Sequence, residues 1–199
     1  MSRAIPQLLD SVSRELKALE IARQRYAKQL APNFSVFDYI YTDEIMLSKI
    51  IADLLNPYGE HAQGSLFLSL FLKQLTLNET WENIDLGYAK ITVQTEKLTA
   101  ENRRMDIYIH IQTKEQSFGI CIENKPFAAD GNKQLIDYAT EMKRLHRQNW
   151  HIVYLSGYGN QPAEYSVSTE NLELWKENQQ FSQINSPNLI NWLKQALTK

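Results

Sequence analysis

Apolar residues along this chain recur first at helical spacing and then at strand spacing. Leu9, Val12, Leu16, Leu19, Tyr26 and Leu30 fall at multiples of three and four, which predicts a helix over Pro6–Leu30. Arg14, Lys17, Arg23, Arg25 and Lys28 occupy its other faces. Such a helix packs on its own domain or on a second copy, and Ala31-Pro32-Asn33 stops it. A second helix is predicted over Asp43–Leu55 on the stripe Leu47, Ile50, Ile51, Leu54 and Leu55, ended by Asn56-Pro57-Tyr58-Gly59. A third runs over Ser65–Leu75, with Leu66, Phe67, Leu70 and Phe71 inward. Asn78–Gly87 is weakly patterned, with Trp81 as a packing residue. From Ile91 the period becomes two, giving strands Ile91–Leu98, Arg104–Gln112 and Phe118–Asn124. Asn132–Arg147 returns to helix, Trp150–Leu155 is a short strand, and Gly157–Gln183 has no clear pattern. Ser186, as N-cap before Pro187, opens a last helix to Leu197. Helices followed by β-β-β-α-β predict one α/β or α+β domain.

Composition narrows the class. The 199 residues hold 43% hydrophobic and 22% charged residues, with 7 Gly and 6 Pro, which excludes collagen-like and broadly disordered chains. A single cysteine, Cys121, excludes a disulfide framework and a Cys-based zinc site. No signal-like N-terminus and no long apolar run occur, so the expectation is a soluble, cytoplasmic protein without membrane contact. At a net charge of −2, nucleic-acid binding would need a local basic patch.

The most informative pattern is a hairpin. With Thr113–Gln116 as its loop, paired positions of the second and third strands sum to 229. Ile111 then faces Phe118, Ile109 faces Ile120, and Ile107 faces Ile122. A slip of one residue would oppose apolar to polar throughout. The same register sets Asp106 beside Glu123 on the other face, and Lys125 points the same way. Like charges directly opposite destabilise a sheet, so something compensates. One answer is structural, with Lys125 or a neighbouring Arg103 or Arg104 pairing with the acids. The other is a divalent cation, for which one or two carboxylates beside a phosphate suit Mg²⁺.

Asp106 followed by Glu123-Asn124-Lys125 resembles the bipartite motif of the PD-(D/E)XK nuclease superfamily. The Gln134-Leu-Ile-Asp-Tyr138 run is similar to the Gln-x-x-x-Tyr motif of its RecB-like branch, and Glu44 stands where members often carry an acid. The stretch from Glu44 through Leu54–Gly64 to Leu68 resembles an uncharacterised bacterial family of the same superfamily. The likeness covers Tyr39–Leu155, with Asn191-Trp192-Leu193 also fitting, and departs from the pattern where Met105 replaces Pro before Asp106. It implies a restriction-endonuclease-like core, a mixed central sheet flanked by helices, over residues 36–199, behind an N-terminal helical extension over residues 1–35. It implies DNA phosphodiester hydrolysis with Mg²⁺, for which Mn²⁺ substitutes. In that scheme Asp106, Glu123 and the Asn124 main-chain carbonyl are ligands, and Lys125 is catalytic. The alternative is a catalytically silent nuclease fold that binds DNA or a protein partner. Restriction, repair, mobile-element maintenance and anti-phage defence all employ such folds, and fold alone does not choose among them.

The remaining candidates each have two readings. Glu44 lies in an inward stripe, as a metal ligand or as a first-turn acid favoured by the helix dipole. Gln134 and Tyr138 share a helix face that either serves the catalytic centre or packs on the sheet. Glu96 is a spare acid or a partner for Arg103 or Arg104. His61, Gln63 and Ser65 open a helix, as phosphate-binding groups or as an ordinary turn. Lys143, Arg144 and Arg147, with His146 among them, are a backbone-phosphate patch or a favourable helix C-terminus. A homodimer, through the N-terminal helix or the domain, suits cleavage of both strands of a duplex.

Overall fold

Five strands carry the larger of the chain's two units, Thr42–Lys199; Met1–Tyr41 form the other. The computed structural model describes residues 9–10, 12–22, 43–127 and 129–198. Residues 9–10 and 12–22 of the smaller unit are helical, and the predicted ends of that helix lie outside the described residues.

Within the larger unit the order is α1 (Glu44–Leu55), α2 (Leu66–Leu72), α3 (Glu79–Glu82), β1 (Lys90–Leu98), β2 (Arg104–Gln112) and β3 (Ser117–Lys125). There follow α4 (Gln134–His146), β4 (Trp150–Ser156), α5 (Thr169–Glu177), β5 (Phe181–Asn185) and α6 (Ser186–Leu197). The sheet runs β1-β2-β3-β4-β5. Its first three strands are antiparallel, and β3, β4 and β5 are parallel. Each parallel step needs a crossover, which α4 and α5 supply. Helices on both faces bury the sheet twice over, so β4 is buried at every position.

The β2–β3 register is the one the apolar alternation predicts, with Ile107 facing Ile122, Ile109 facing Ile120 and Ile111 facing Phe118. These isoleucines pack against Ile51 and Leu55 of α1, Leu68 and Phe71 of α2, and Trp192 of α6. The other face sets Tyr108, Cys121 and Ile152 against Leu135, Tyr138 and Met142 of α4 and Leu172 and Trp175 of α5. Cys121 is therefore a packing residue. Gly119 is required here, because a Cβ would stand 2.2 Å from the buried His146 ring.

Three expectations change. Ile50 is exposed, and the inward face of α1 is Ser48, Ile51, Ala52 and Leu55. Asp43 caps this helix by accepting the Met46 N–H at 2.7 Å, which fixes the rotation. The unpatterned stretch contains α5 and the edge strand β5; both are short and bury few apolar side chains. The cap of α6 is Asn185 rather than Ser186, because Asn188 completes a reciprocal capping box with it.

One consequence concerns pH. His151 is fully buried, with its ring nitrogens 2.9 Å from the Gln179 carbonyl and 2.9 Å from Ser182 Oγ. Burial pushes its pKa down to about 4. The unfolded chain takes up the proton first, so this contribution is intact above pH 6.5 and is lost as pH falls toward 4. Asp106 and Glu123, whose pKa values are raised, act with the opposite sign. The His151 share is isolated as wild-type stability minus that of His151→Asn. That difference should shrink by roughly 3 kcal/mol between pH 7 and pH 4 in urea titrations.

Candidate metal centre

Two helices on opposite faces meet the sheet at the carboxyl end of β3, the usual place for ligands in sheets of this kind. The α1 N-terminus brings Glu44, the start of β2 brings Asp106, the end of β3 brings Glu123-Asn124-Lys125, and the first turn of α4 brings Gln134. One carboxylate oxygen from each of Glu44, Asp106 and Glu123 lies within 4.8 Å of the other two.

A single ammonium joins this cluster. Lys125 Nζ stands 2.6 Å from Glu123 Oε1 and 2.7 Å from Glu44 Oε1. Its side chain is 9% exposed, against 28% for Glu44 and 0% for Glu123. The predicted ladder ends one pair short of the acids, and the Asp106 carboxylate itself accepts the Asn124 N–H at 2.7 Å. The Asn124 side-chain amide donates to Ser48 Oγ at 3.1 Å and to the Glu44 carbonyl at 3.3 Å, tying β3 to α1. Gln134 Nε2 donates to Glu123 Oε1 at 2.6 Å and to the Tyr138 hydroxyl at 2.9 Å. Its Oε1 accepts the Gly131 N–H at 2.7 Å, which fixes the amide's orientation. The Tyr138 hydroxyl donates in turn to the Arg104 carbonyl, locking α4 to the start of β2.

Three acids and one lysine leave the cluster short of positive charge. Burial, reinforced by Asp106, pushes Glu123 up to about 8. Burial also raises Asp106 to about 6, against the pull of the Asn124 N–H. For Lys125 burial acts downward, but Glu123 and Glu44 outweigh it and hold the ammonium above its usual range. Glu123 Oε2 is buried and has no hydrogen-bond partner among the described residues. A buried carboxylate oxygen without a donor, in a residue clustered with two other acids, fits a cation. An all-oxygen donor set selects a hard one, such as Mg²⁺ or Mn²⁺. Opposite ligands of an octahedral Mg²⁺ lie about 4.2 Å apart, so the observed spread suits one ion after a small adjustment.

Residues 34–199 match the sequence profile of the PD-(D/E)XK nuclease superfamily. The chain belongs to this superfamily. The match takes in the expected Tyr39–Leu155 and Asn191–Leu193 and the segment between them, so α5, β5 and α6 are part of the family fold. No curated protein and no solved structure matches the chain. The five-stranded mixed sheet with helices on both faces agrees with the restriction-endonuclease-like core of the superfamily. No described helix is long and apolar enough to cross a membrane.

Of the candidates, Asp106, Glu123, Asn124, Lys125, Glu44, Gln134 and Tyr138 come together, and the basic and turn residues do not. His61 lies beyond the far end of α1, about 18 Å along the axis from Glu44. Its Nδ1 accepts the Gln63 N–H at 3.0 Å, so Nε2 carries the proton and donates to the Asn56 carbonyl at 3.0 Å. This is a neutral, turn-closing imidazole packed edge-on to Phe67. Lys143, Arg144 and Arg147 lie at the other end of α4, about 14 to 20 Å along its axis from Gln134. Arg144 is held there by both oxygens of Glu141, at 2.7 and 2.9 Å. Arg103 pairs with Asp137 at 2.9 Å, and Arg104 with Glu96 at 3.2 Å. Glu96 falls between the Thr95–Ile107 and Lys97–Met105 pairs of the β1–β2 register, at a positive φ of 54°, and its charge adds to the upward push on the Asp106 pKa. Ser48 belongs to the Glu44–Leu68 stretch that resembles the bacterial family, and its i+4 step from Glu44 places it on the inward face of α1, where it joins the centre through Asn124.

Gln134 holds the Glu123 carboxylate and is not itself one of the three clustered acids. Its removal should weaken cation affinity about 10- to 100-fold. Calorimetric titration of Gln134→Ala with Mn²⁺ checks this, with a thermal midpoint close to wild type expected because Glu123 Oε1 keeps Lys125 as partner and the Tyr138 hydroxyl keeps the Arg104 carbonyl.

Proposed function

We propose that the protein hydrolyses DNA phosphodiester bonds at this centre with Mg²⁺, for which Mn²⁺ substitutes. The supporting observation is the convergence of Glu44, Asp106 and Glu123 on one point with Lys125 between them and Glu123 Oε2 unpartnered. Asp106 and Glu123 hold the ion, joined by Glu44 and by the Asn124 carbonyl, which leaves the strand on the same side as the N–H that binds Asp106. A divalent cation there supplies Lewis-acid polarisation of a phosphoryl oxygen and acidifies water. Gln134 fixes one oxygen of Glu123 and so aims the other, and the Asn124 N–H does the same for Asp106. Lys125 supplies the positive charge that meets negative charge building on the phosphate. No covalent enzyme intermediate is required.

A silent nuclease fold has no missing residue to rest on, because the acids, the lysine and the glutamine are all present and assembled. The test is cleavage of plasmid and end-labelled oligonucleotides with Mg²⁺, Mn²⁺ or EDTA. Cleavage that needs the ion and is absent in Asp106→Ala and Lys125→Ala supports the reading. No cleavage by the wild type, or equal cleavage by wild type and variants, contradicts it. Light scattering on the same preparation reports whether a homodimer performs the reaction.

A further inference from the structure

An apolar cavity of about 370 Å³ adjoins the metal centre and takes no part in the chemistry above. Leu47 of α1, Leu189 of α6, Asn124, Phe127 and Tyr158 help to line it. Asn124 belongs to both places, since its N–H holds Asp106. No charged side chain lines the cavity, which makes it unsuited to phosphate.

Two aromatic rings set it apart. Phe127 and Tyr158 are 76% and 83% exposed. Among the described residues every other phenylalanine, and all four tryptophans, are buried, whereas Tyr58, Tyr88 and Tyr165 are also exposed; what distinguishes Phe127 and Tyr158 is that both line the cavity that shares Asn124 with the metal centre. Their placement follows from the sheet. Lys125 of β3 is the parallel partner of Ser156 of β4, and each ring lies two residues further along its own strand exit. The exits are pressed together at Gly157, where a Cβ would meet the Pro126 carbonyl oxygen at 2.8 Å. Ser186 Oγ pins the Gly157 carbonyl at 2.8 Å. The rings thus stand on a braced support. The Phe127 Cα is at most about 7.6 Å from that of Lys125, within the reach of one nucleotide from a phosphate held there.

Exposed rings around an uncharged apolar cavity offer little to a paired duplex, whose base faces are covered by their neighbours. An unpaired base brings a free π-face and an apolar body, and stacking on aromatic side chains is how such bases are held. We propose that this cavity receives an unpaired base of the DNA strand being cut, stacked on Phe127 and Tyr158. The inference rests on the DNA-hydrolase reading and names the form of DNA that the centre takes: a single strand, or a duplex end opened locally.

The test is fluorescence anisotropy with the full chain, using a labelled single-stranded oligonucleotide and the blunt duplex of the same sequence, with Ca²⁺ in place of Mg²⁺. Phe127→Ala and Tyr158→Ala should each weaken single-strand binding by roughly 10-fold or more, with duplex binding unchanged and Phe127→Trp close to wild type. Both side chains are exposed, so the variants should keep the wild-type thermal midpoint. Unchanged single-strand binding, or an equal loss for duplex, overturns the cavity proposal and leaves the hydrolase reading standing. A wild-type dimer that Phe127→Ala turns into a monomer shows that a second copy fills the cavity, and overturns it too. If the wild type binds neither DNA, both proposals fall together.

Discussion

Glu123→Gln is expected to lower DNA cleavage by about 10³-fold or more without lowering the thermal midpoint. The two effects have one cause. Glu123 is fully buried beside Asp106, and burial has pushed its pKa up to about 8. An amide of nearly the same shape removes that buried acid and keeps Gln134 and Lys125 in place. It also replaces the unpartnered Oε2 with a group that is a poor cation ligand. A site built for function carries such local destabilisation, and relieving it trades activity for stability. Melting curves beside cleavage assays check both halves. A variant that unfolds well below wild type would mean that Glu123 is mainly a structural ion-pair partner for Lys125.

The second large effect belongs to the core. Trp192→Ala should destabilise the fold by about 4 kcal/mol, equivalent to a fall in Tm of roughly 12 °C. Trp192 is fully buried, with its ring 5.9 Å from that of Phe67 and 5.4 Å from that of Phe71, both edge-on. Its Nε1 donates to the Phe67 carbonyl at 2.8 Å, so truncation leaves a cavity and removes a buried hydrogen bond between α6 and α2. The side chain anchors α6 to α2, away from the carboxylates, so cleavage well below the new midpoint should persist. Differential scanning calorimetry of Trp192→Ala and Trp192→Phe reads the size of the effect, with the Phe variant recovering part of it.

What could be read from the sequence follows from how local each signal is. The β2–β3 register was legible because a short loop and three apolar pairs leave one alignment. That alignment carries Asp106 and Glu123 to the same corner. The Gln134–Tyr138 contact was legible as a helix face, although its target, Glu123 Oε1, was not. The turn after α1 and the basic end of α4 carry plausible chemistry but point elsewhere. Helix length alone places them about 14 to 20 Å along the axis from Glu44 and Gln134, and sequence gives no view of which end of a helix meets the sheet. Between Gly157 and Gln183 the pattern failed for a different reason. β5 has five residues and α5 buries Leu172 and Trp175, too little apolar periodicity to stand out. Glu96 was legible as an acid within reach of Arg103 or Arg104 and pairs with Arg104, whereas its positive φ follows from tertiary packing and no local rule marks it.

The central claim is that Glu44, Asp106 and Glu123 form one cation site. Isothermal calorimetry with Mn²⁺, on wild type and on Glu123→Gln, tests it without needing a DNA substrate. The account predicts saturable binding to a single class of site in the wild type and its loss in the variant. No binding by the folded wild type, or the same isotherm for both proteins, would contradict it.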